Sequence, residues 1–211
     1  MAIELNVAGR AAAVKREEVN SAFNDIEANE GWRLRRATLD DVDGLLALAS
    51  EPLVYRYLFD GAAPPRNLIL GRVERSVAGI AEAGFGMWLL EGSLGRYSGC
   101  VELRPYPAPR SAELTYLLDP DLWGRGLAMR MALTAITQAC LSGDIDSVSA
   151  GADLPNSASL SVMRRLGMQF HKEVVYPLGA GVEYVLHRGD ASRMPRSTLI
   201  PLTDNLGLQS V

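Results

Sequence analysis

The sequence predicts an α/β fold, a mixed sheet with helices on both of its faces. Three observations carry that reading. Strand-like apolar segments alternate with segments whose apolar residues recur every three or four positions. Two pairs of strand-like segments are separated only by short loops, the mark of hairpins. A long helical stretch links the strand-like residues 111–119 to those at 147–153, so the sheet contains a crossover as well as hairpins.

Residues 1–30 mix alanine with charges, as in AAAVKREEVNSAFNDIEANE, and read as an extension outside the core. WRLRRAT, Trp32 to Thr38, reads as a short strand. Thr38 with Asp41 three residues on forms a capping-box-like start, and Leu45, Leu48 and Ala49 give the following helix an apolar face. EPLVYRYLFD is expected to continue as a helical segment until GAAPP breaks it. RNLILGRVERSVAGIAEAG predicts a helix with Ile69, Val73, Val77 and Ile80 on one side. FGMWLLEG and SGCVELRP read as a hairpin around SLGRY, and SAELTYLLD as a third strand after a proline-rich loop. The next helix carries Ala128, Met131, Ala132, Ala135, Ile136, Ala139 and Cys140 on one stripe. SVSAGAD is a strand, and SASLSVMRRLG a short helix closed by Gly167. FHKEVVYP and GVEYVLHR pair around LGAG, and the residues from Ala191 on read as an irregular tail. The expected organisation is therefore an extension at 1–30, one domain at 31–189 with no linker, and a tail at 190–211.

With 211 residues, 48% hydrophobic and 22% charged, the chain has the apolar mass of an ordinary globular domain. A net charge of -4 argues against a nucleic-acid partner and tolerates a cationic substrate. Two cysteines, Cys100 and Cys140, make no disulfide framework and are expected to be reduced and buried. The N-terminus, with Glu4 and no continuous apolar core, does not read as a signal peptide, and no run reaches the roughly 18 apolar residues of a membrane span. The expected location is the cytoplasm, with no membrane partner.

The stretch LLDPDLWGRGLAMRMA places two glycines at the first turn of a helix. Glycine costs about 1 kcal/mol per helical position relative to alanine, so the pair needs a compensating role. A helix N-terminus has unpaired N–H groups and partial positive charge, and residues without side chains let an anion reach the backbone. Gly124 and Gly126, with Arg125 and Arg130 nearby, thus suggest a ligand bearing pyrophosphate. The dinucleotide-binding fingerprint lacks its third glycine, which is Met129 here, and the P-loop pattern is absent. On these residues alone a tight turn without a ligand remains open.

A second constellation follows about 30 residues on: Asn156, Ser159, then Arg164-Arg165-Leu166-Gly167 with Met168. Together with Asp119-Pro120-Asp121-Leu122-Trp123-Gly124-Arg125-Gly126-Leu127-Ala128, it resembles the GNAT superfamily of acyl-CoA-dependent N-acetyltransferases. The nearest likeness is to the branch acting on N-termini of ribosomal proteins (the RimJ/RimL-like group). The element order fits from about Trp32 to Arg188. The resemblance implies a largely antiparallel central sheet with a V-shaped splay. It implies acetyl-CoA as co-substrate, no metal, and direct transfer to a primary amine, either a protein N-terminus or a small molecule. The backbone of Leu117 and Leu118 would then hold the pantetheine arm. N–H groups of Trp123, Gly124, Arg125, Gly126, Leu127 and Ala128 would hold the pyrophosphate. Asn156 would contact the pantetheine, Ser159 would lie near the thioester, and Arg164 or Arg165 would reach either a CoA phosphate or solvent.

Acyl transfer to an amine needs a base to free the nitrogen lone pair and a donor for the departing charge. Glu113 is the candidate base, since the resemblance places a catalytic glutamate at this strand position. A carboxylate among apolar strand residues also suits that work, and the alternative is a sheet-face Glu paired with an Arg. Alternation puts Glu113, Thr115 and Leu117 on one face and Leu114, Tyr116 and Leu118 on the other, where Tyr116 reads as core. Many relatives carry a tyrosine seven residues after the motif Asn; here it is Met163, and Ser159 is the substitute donor. Ser159 also fits a purely structural role in its short helix. His171 and His187 read as structural, and Trp32, Trp88 and Trp123 as core or loop anchors. The acceptor is expected between residues 51–65, with Tyr55, Tyr57 and Phe59, and residues 175–184. A non-catalytic acyl-CoA sensor or scaffold is the alternative function. The extensions are of a length suited to a homodimer contact.

Overall fold

The computed structural model describes residues 31–83, 85–92, 97–142, 145–191, 200 and 202–203. The expected N-terminal extension, most of the SLGRY loop and most of the tail lie outside the described residues.

Eight strands form one sheet in the order β6-β7-β5-β4-β3-β2-β1-β8. They are β1 (Arg33–Arg36), β2 (Met87–Glu91), β3 (Tyr97–Pro105), β4 (Ser111–Leu118), β5 (Ser147–Asp153), β6 (Gln169–Tyr176), β7 (Gly179–His187) and β8 (Leu202–Thr203). The helices are α1 (Val42–Ala49), α2 (Pro52–Tyr55), α3 (Arg66–Ala83), α4 (Leu127–Ser142), α5 (Ser157–Arg165) and α6 (Arg188–Ala191). The predicted hairpins are antiparallel, whereas the crossover through α4 makes β4 and β5 parallel.

The apolar stripes decide which helix covers which face. On one face the buried residues of α4 and α5, among them Leu127, Met131, Ile136 and Leu160, pack with Ala112, Leu114 and Leu118 of β4. On the other, Val42 and Leu45 of α1 and Ile69 and Val73 of α3 pack with Met87, Leu89 and Cys100, and Leu117 lies against them. The expected alternation along β4 is thus present, with helices on both faces of the sheet. Val77, expected on the apolar side of α3, is instead 44% exposed, and the buried residue at that level of the helix is Ser76, whose hydroxyl accepts the Met87 N–H.

Two segments differ from expectation. EPLVYRYLFD does not form one helix: α2 stops at Tyr55, and Phe59–Gly61 makes a separate 3-10 turn in which Phe59 and Asp60 have φ of 50 and 58°. The tail is not irregular throughout, since Leu202 and Thr203 pair in parallel with Leu34 and Arg35 of β1, and Ile200 is fully buried.

The start of α1 is tied to the sheet by charge. The Thr38 N–H donates to Asp41 Oδ2 at 2.7 Å, which is the capping contact the sequence predicts. Asp41 also accepts from Arg35 Nη1 and Nη2 and from the Tyr97 hydroxyl, and Arg35 reaches on to Glu91. Asp41 is buried, yet these donors satisfy it, as a buried carboxylate requires.

The opening of the sheet matters most for the site. The β4–β5 ladder runs only from Ser111–Ser147 to Glu113–Ser149. Beyond it β4 stays paired with β3 as far as Leu118, and β5 stays paired with β7 as far as Asp153. Leu114–Leu118 therefore have no ladder partner on the β5 side, and the two halves of the sheet part as a V.

Candidate active site

A cleft of about 470 Å³ lies where the strands part. One wall is the end of β4, from Tyr116 to Leu118, with the turn that opens α4. The opposite wall is the first turn of α5, and Leu53, Val54, Tyr57 and Leu58 close a third side.

The turn into α4 forms for local reasons. Asp119 Oδ1 accepts the Asp121 N–H at 3.0 Å, and Pro120 opens the 3-10 turn Pro120–Leu122. Gly124 and Gly126 then take φ of 78 and 75°, a conformation that favours glycine. A Cβ placed on either glycine would meet nothing within 4 Å. No packing explains the missing side chains, and both glycines line the cleft at the start of a 16-residue helix. A bare loop of this kind at a helix N-terminus suits a diphosphate.

Trp123 takes a more definite part than a loop anchor. Its Nε1–H donates to the Leu118 carbonyl at 2.9 Å, while the indole, 47% exposed, lines the cleft. The Leu118 carbonyl is thus occupied from within the chain.

Asn156 caps α5, its Oδ1 accepting the Ser159 N–H at 3.1 Å. Asn156, Ser159 and Arg165 line the cleft, whereas Arg164 is not among its walls. Met163 is buried in the core and takes no part in the surface of the cleft. Tyr116, read from sequence as core, lines the cleft, and its hydroxyl lies 3.4 Å from the Ser159 carbonyl. Alternation identified its face but not the parting of the strands that exposes it.

Glu113 lies on the other face, at the last rung before the parting. Its surroundings are more polar than the flanking apolar residues suggest, because Arg104 on β3 pairs with it at 2.7 Å. Tyr106, just past the end of β3, donates to Glu183 of β7 at 2.7 Å, which is the main cause pushing the phenol up to about 12. Tyr176 lies over Gly151 and Gly181, where a Cβ at Gly151 would come within 1.9 Å of its hydroxyl. Of the predicted acceptor residues, Tyr57 lines the cleft and reaches the Pro155 carbonyl, whereas Phe59 stacks on Arg72. Cys100 is buried as expected, but Cys140 is only partly so. His171 and His187 are exposed on β6 and β7.

A split sheet, a bare glycine turn at a helix N-terminus and a capped helix across the gap are the features that the sequence resemblance leads one to expect of an acyltransferase. Residues 32–169 match the acetyltransferase (GNAT) domain, and the chain belongs to that family of acyltransferases. Among solved structures it is similar to RimL, the ribosomal L7/L12 α-N-protein acetyltransferase in complex with coenzyme A, at 18% identity and a TM-score of 0.62. That match covers 76% of this chain and 95% of the other. The Salmonella typhimurium acetyltransferase that modifies the N-terminal serine of L7/L12 gives 22% identity and 0.61, over 76% and 96%. Spermidine N-acetyltransferase from Vibrio cholerae, in complex with CoA and spermine, gives 15% and 0.65, over 77% and 99%.

Proposed function

We propose that the protein transfers an acetyl group from acetyl-CoA directly to a primary amine, either a peptide N-terminus or a small-molecule amine. The observation that supports this reading best is the pair of glycines lining the cleft at the start of α4, where an added methyl would meet no atom of the chain within 4 Å. N–H groups from Trp123 to Ala128 would hold the diphosphate, with Arg165 as a cationic neighbour. Leu117 and Asn156 would receive the pantetheine arm. The Leu118 carbonyl already accepts the Trp123 indole, so a pantetheine donor at that oxygen would share it with the indole.

Glu113 would take the amine proton from the opposite face of β4, and Ser159 would face the reacting carbonyl. The complexes with CoA among similar structures support the choice of donor. The RimL-type and polyamine enzymes among them support a primary amine as acceptor.

Titration calorimetry with CoA tests the cofactor grip, and thiol release on adding a panel of peptides and amines tests turnover. Glu113→Gln is expected to lower release about 100-fold with CoA affinity unchanged. Equal release by both proteins would refute the base assignment. CoA binding without release for any amine would favour the sensor reading.

A further inference from the structure

We propose that Tyr116 is the proton donor to the departing thiolate. The proposal rests on the acyl-CoA reading of the cleft and adds a residue to it. In the helix position where related sequences carry a tyrosine, this chain has Met163, a buried thioether with no proton to give. Strand β4 brings a phenol to the first turn of the same helix, where its hydroxyl lies 3.4 Å from the Ser159 carbonyl. Tyr116 sits three residues past the last β4–β5 rung, on the face that packs against α4 and α5, and lines the cleft there.

The hydroxyl is weakly engaged. Its contact with the Ser159 carbonyl is 3.4 Å, longer than the roughly 2.5–3.0 Å of a firm O–H···O bond. Burial pushes the phenol up to about 12, so it keeps its proton at neutral pH. It stands beside the first turn of α5, whose partial positive charge favours an anion.

Glu113 lies on the opposite face of β4, so proton removal and proton delivery proceed on separate sides of one strand. In the transfer, the amine lone pair bonds to the carbonyl carbon. The C–S bond breaks with its electron pair on sulfur, and sulfur takes the Tyr116 proton. The amine's own proton leaves through Glu113, and water restores the phenol.

The test uses the full chain carrying Tyr116→Phe, which keeps the ring. The first readout is the thiol titration of bound CoA, followed by thiolate absorbance. We expect the bound thiol to ionise at least one pH unit higher in Tyr116→Phe than in wild type, with CoA affinity within threefold. The second readout is kcat, expected to fall about 100-fold, with the loss reduced for an acetyl-seleno-CoA donor, whose selenolate leaves without an acid. A protein with 3-fluorotyrosine in place of Tyr116 keeps the shape and is expected to move the basic limb of kcat to lower pH. An unmoved thiol titration and a kcat within twofold in Tyr116→Phe would overturn the proposal. So would a thiol shift in Ser159→Ala and none in Tyr116→Phe, which assigns the proton to Ser159. If wild type binds no CoA, the reading beneath the proposal fails instead, and the two failures are thereby distinct.

Discussion

At Asp41, burial and hydrogen bonding pull in opposite directions. Burial disfavours the charged carboxylate, but donors from Arg35, Tyr97 and Thr38 win and hold it at about 2, below its ordinary 3.8. A carboxyl that ionises more readily when folded stabilises the protein fully above about pH 5, and that contribution drains away between about pH 4 and pH 2. The stake is about 2 kcal/mol. Urea unfolding of wild type should therefore weaken across that window, with a flatter profile for Asp41→Asn. At pH 7 Asp41→Asn should cost about 3 to 5 kcal/mol, because the Arg35 guanidinium is left buried without its main partner. Parallel pH profiles for the two proteins would contradict this account. The Thr38–Asp41 half of the network was readable, since a capping box is three residues long. Glu91 and Tyr97 were not, because each lies 56 positions from its partner and leaves no local pattern.

Among the elements, the turn into α4 shows how far spacing alone can reach. The stripe from Met131 to Ala139 is buried as its period predicts, and the two glycines have the positive φ that makes them necessary. What spacing did not reveal is the parting of β4 from β5, a property of pairing that gives Tyr116 a surface. Gly126→Ala separates backbone strain from ligand exclusion. Forcing an alanine to a φ of 75° should cost roughly 1 to 2 kcal/mol, seen as a lower unfolding midpoint. The added methyl meets no protein atom within 4 Å, so any further effect must come from the ligand. CoA affinity should fall at least tenfold by calorimetry while unfolding stays cooperative. Unchanged affinity would place the diphosphate elsewhere. For Trp123→Phe the lost indole donor to Leu118 should cost about 1 kcal/mol in the same unfolding assay, with much of the ring contact kept.

Across the whole molecule, the two ends of the folded domain meet at one edge of the sheet. Strand β8 is only two residues long, yet it covers β1, the strand that carries Arg35 and its buried charges. An uncovered edge would expose unpaired N–H and C=O groups to other chains. Two residues of ladder are too few to hold by themselves, so the anchor must lie beside them. Ile200 supplies it: its side chain is fully buried in the α4 core, and its N–H donates to Thr134 Oγ1 at 2.9 Å. Thr134 in turn donates to the Arg130 carbonyl, so one hydroxyl links the C-terminal segment to the helix that opens at the glycine turn. Ile200, Leu202 and Thr203 therefore belong to the domain's stability, although their composition marked them as tail. Ile200→Ala should cost about 2 to 5 kcal/mol in urea unfolding, the range for a truncated core side chain. Thr134→Val should cost about 1 to 3 kcal/mol by stranding the Ile200 N–H. Because both changes loosen the same segment, the double variant should lose less than the sum of the single losses. A loss for Ile200→Ala within about 0.5 kcal/mol, as at an exposed site, would return the segment to a loosely attached tail.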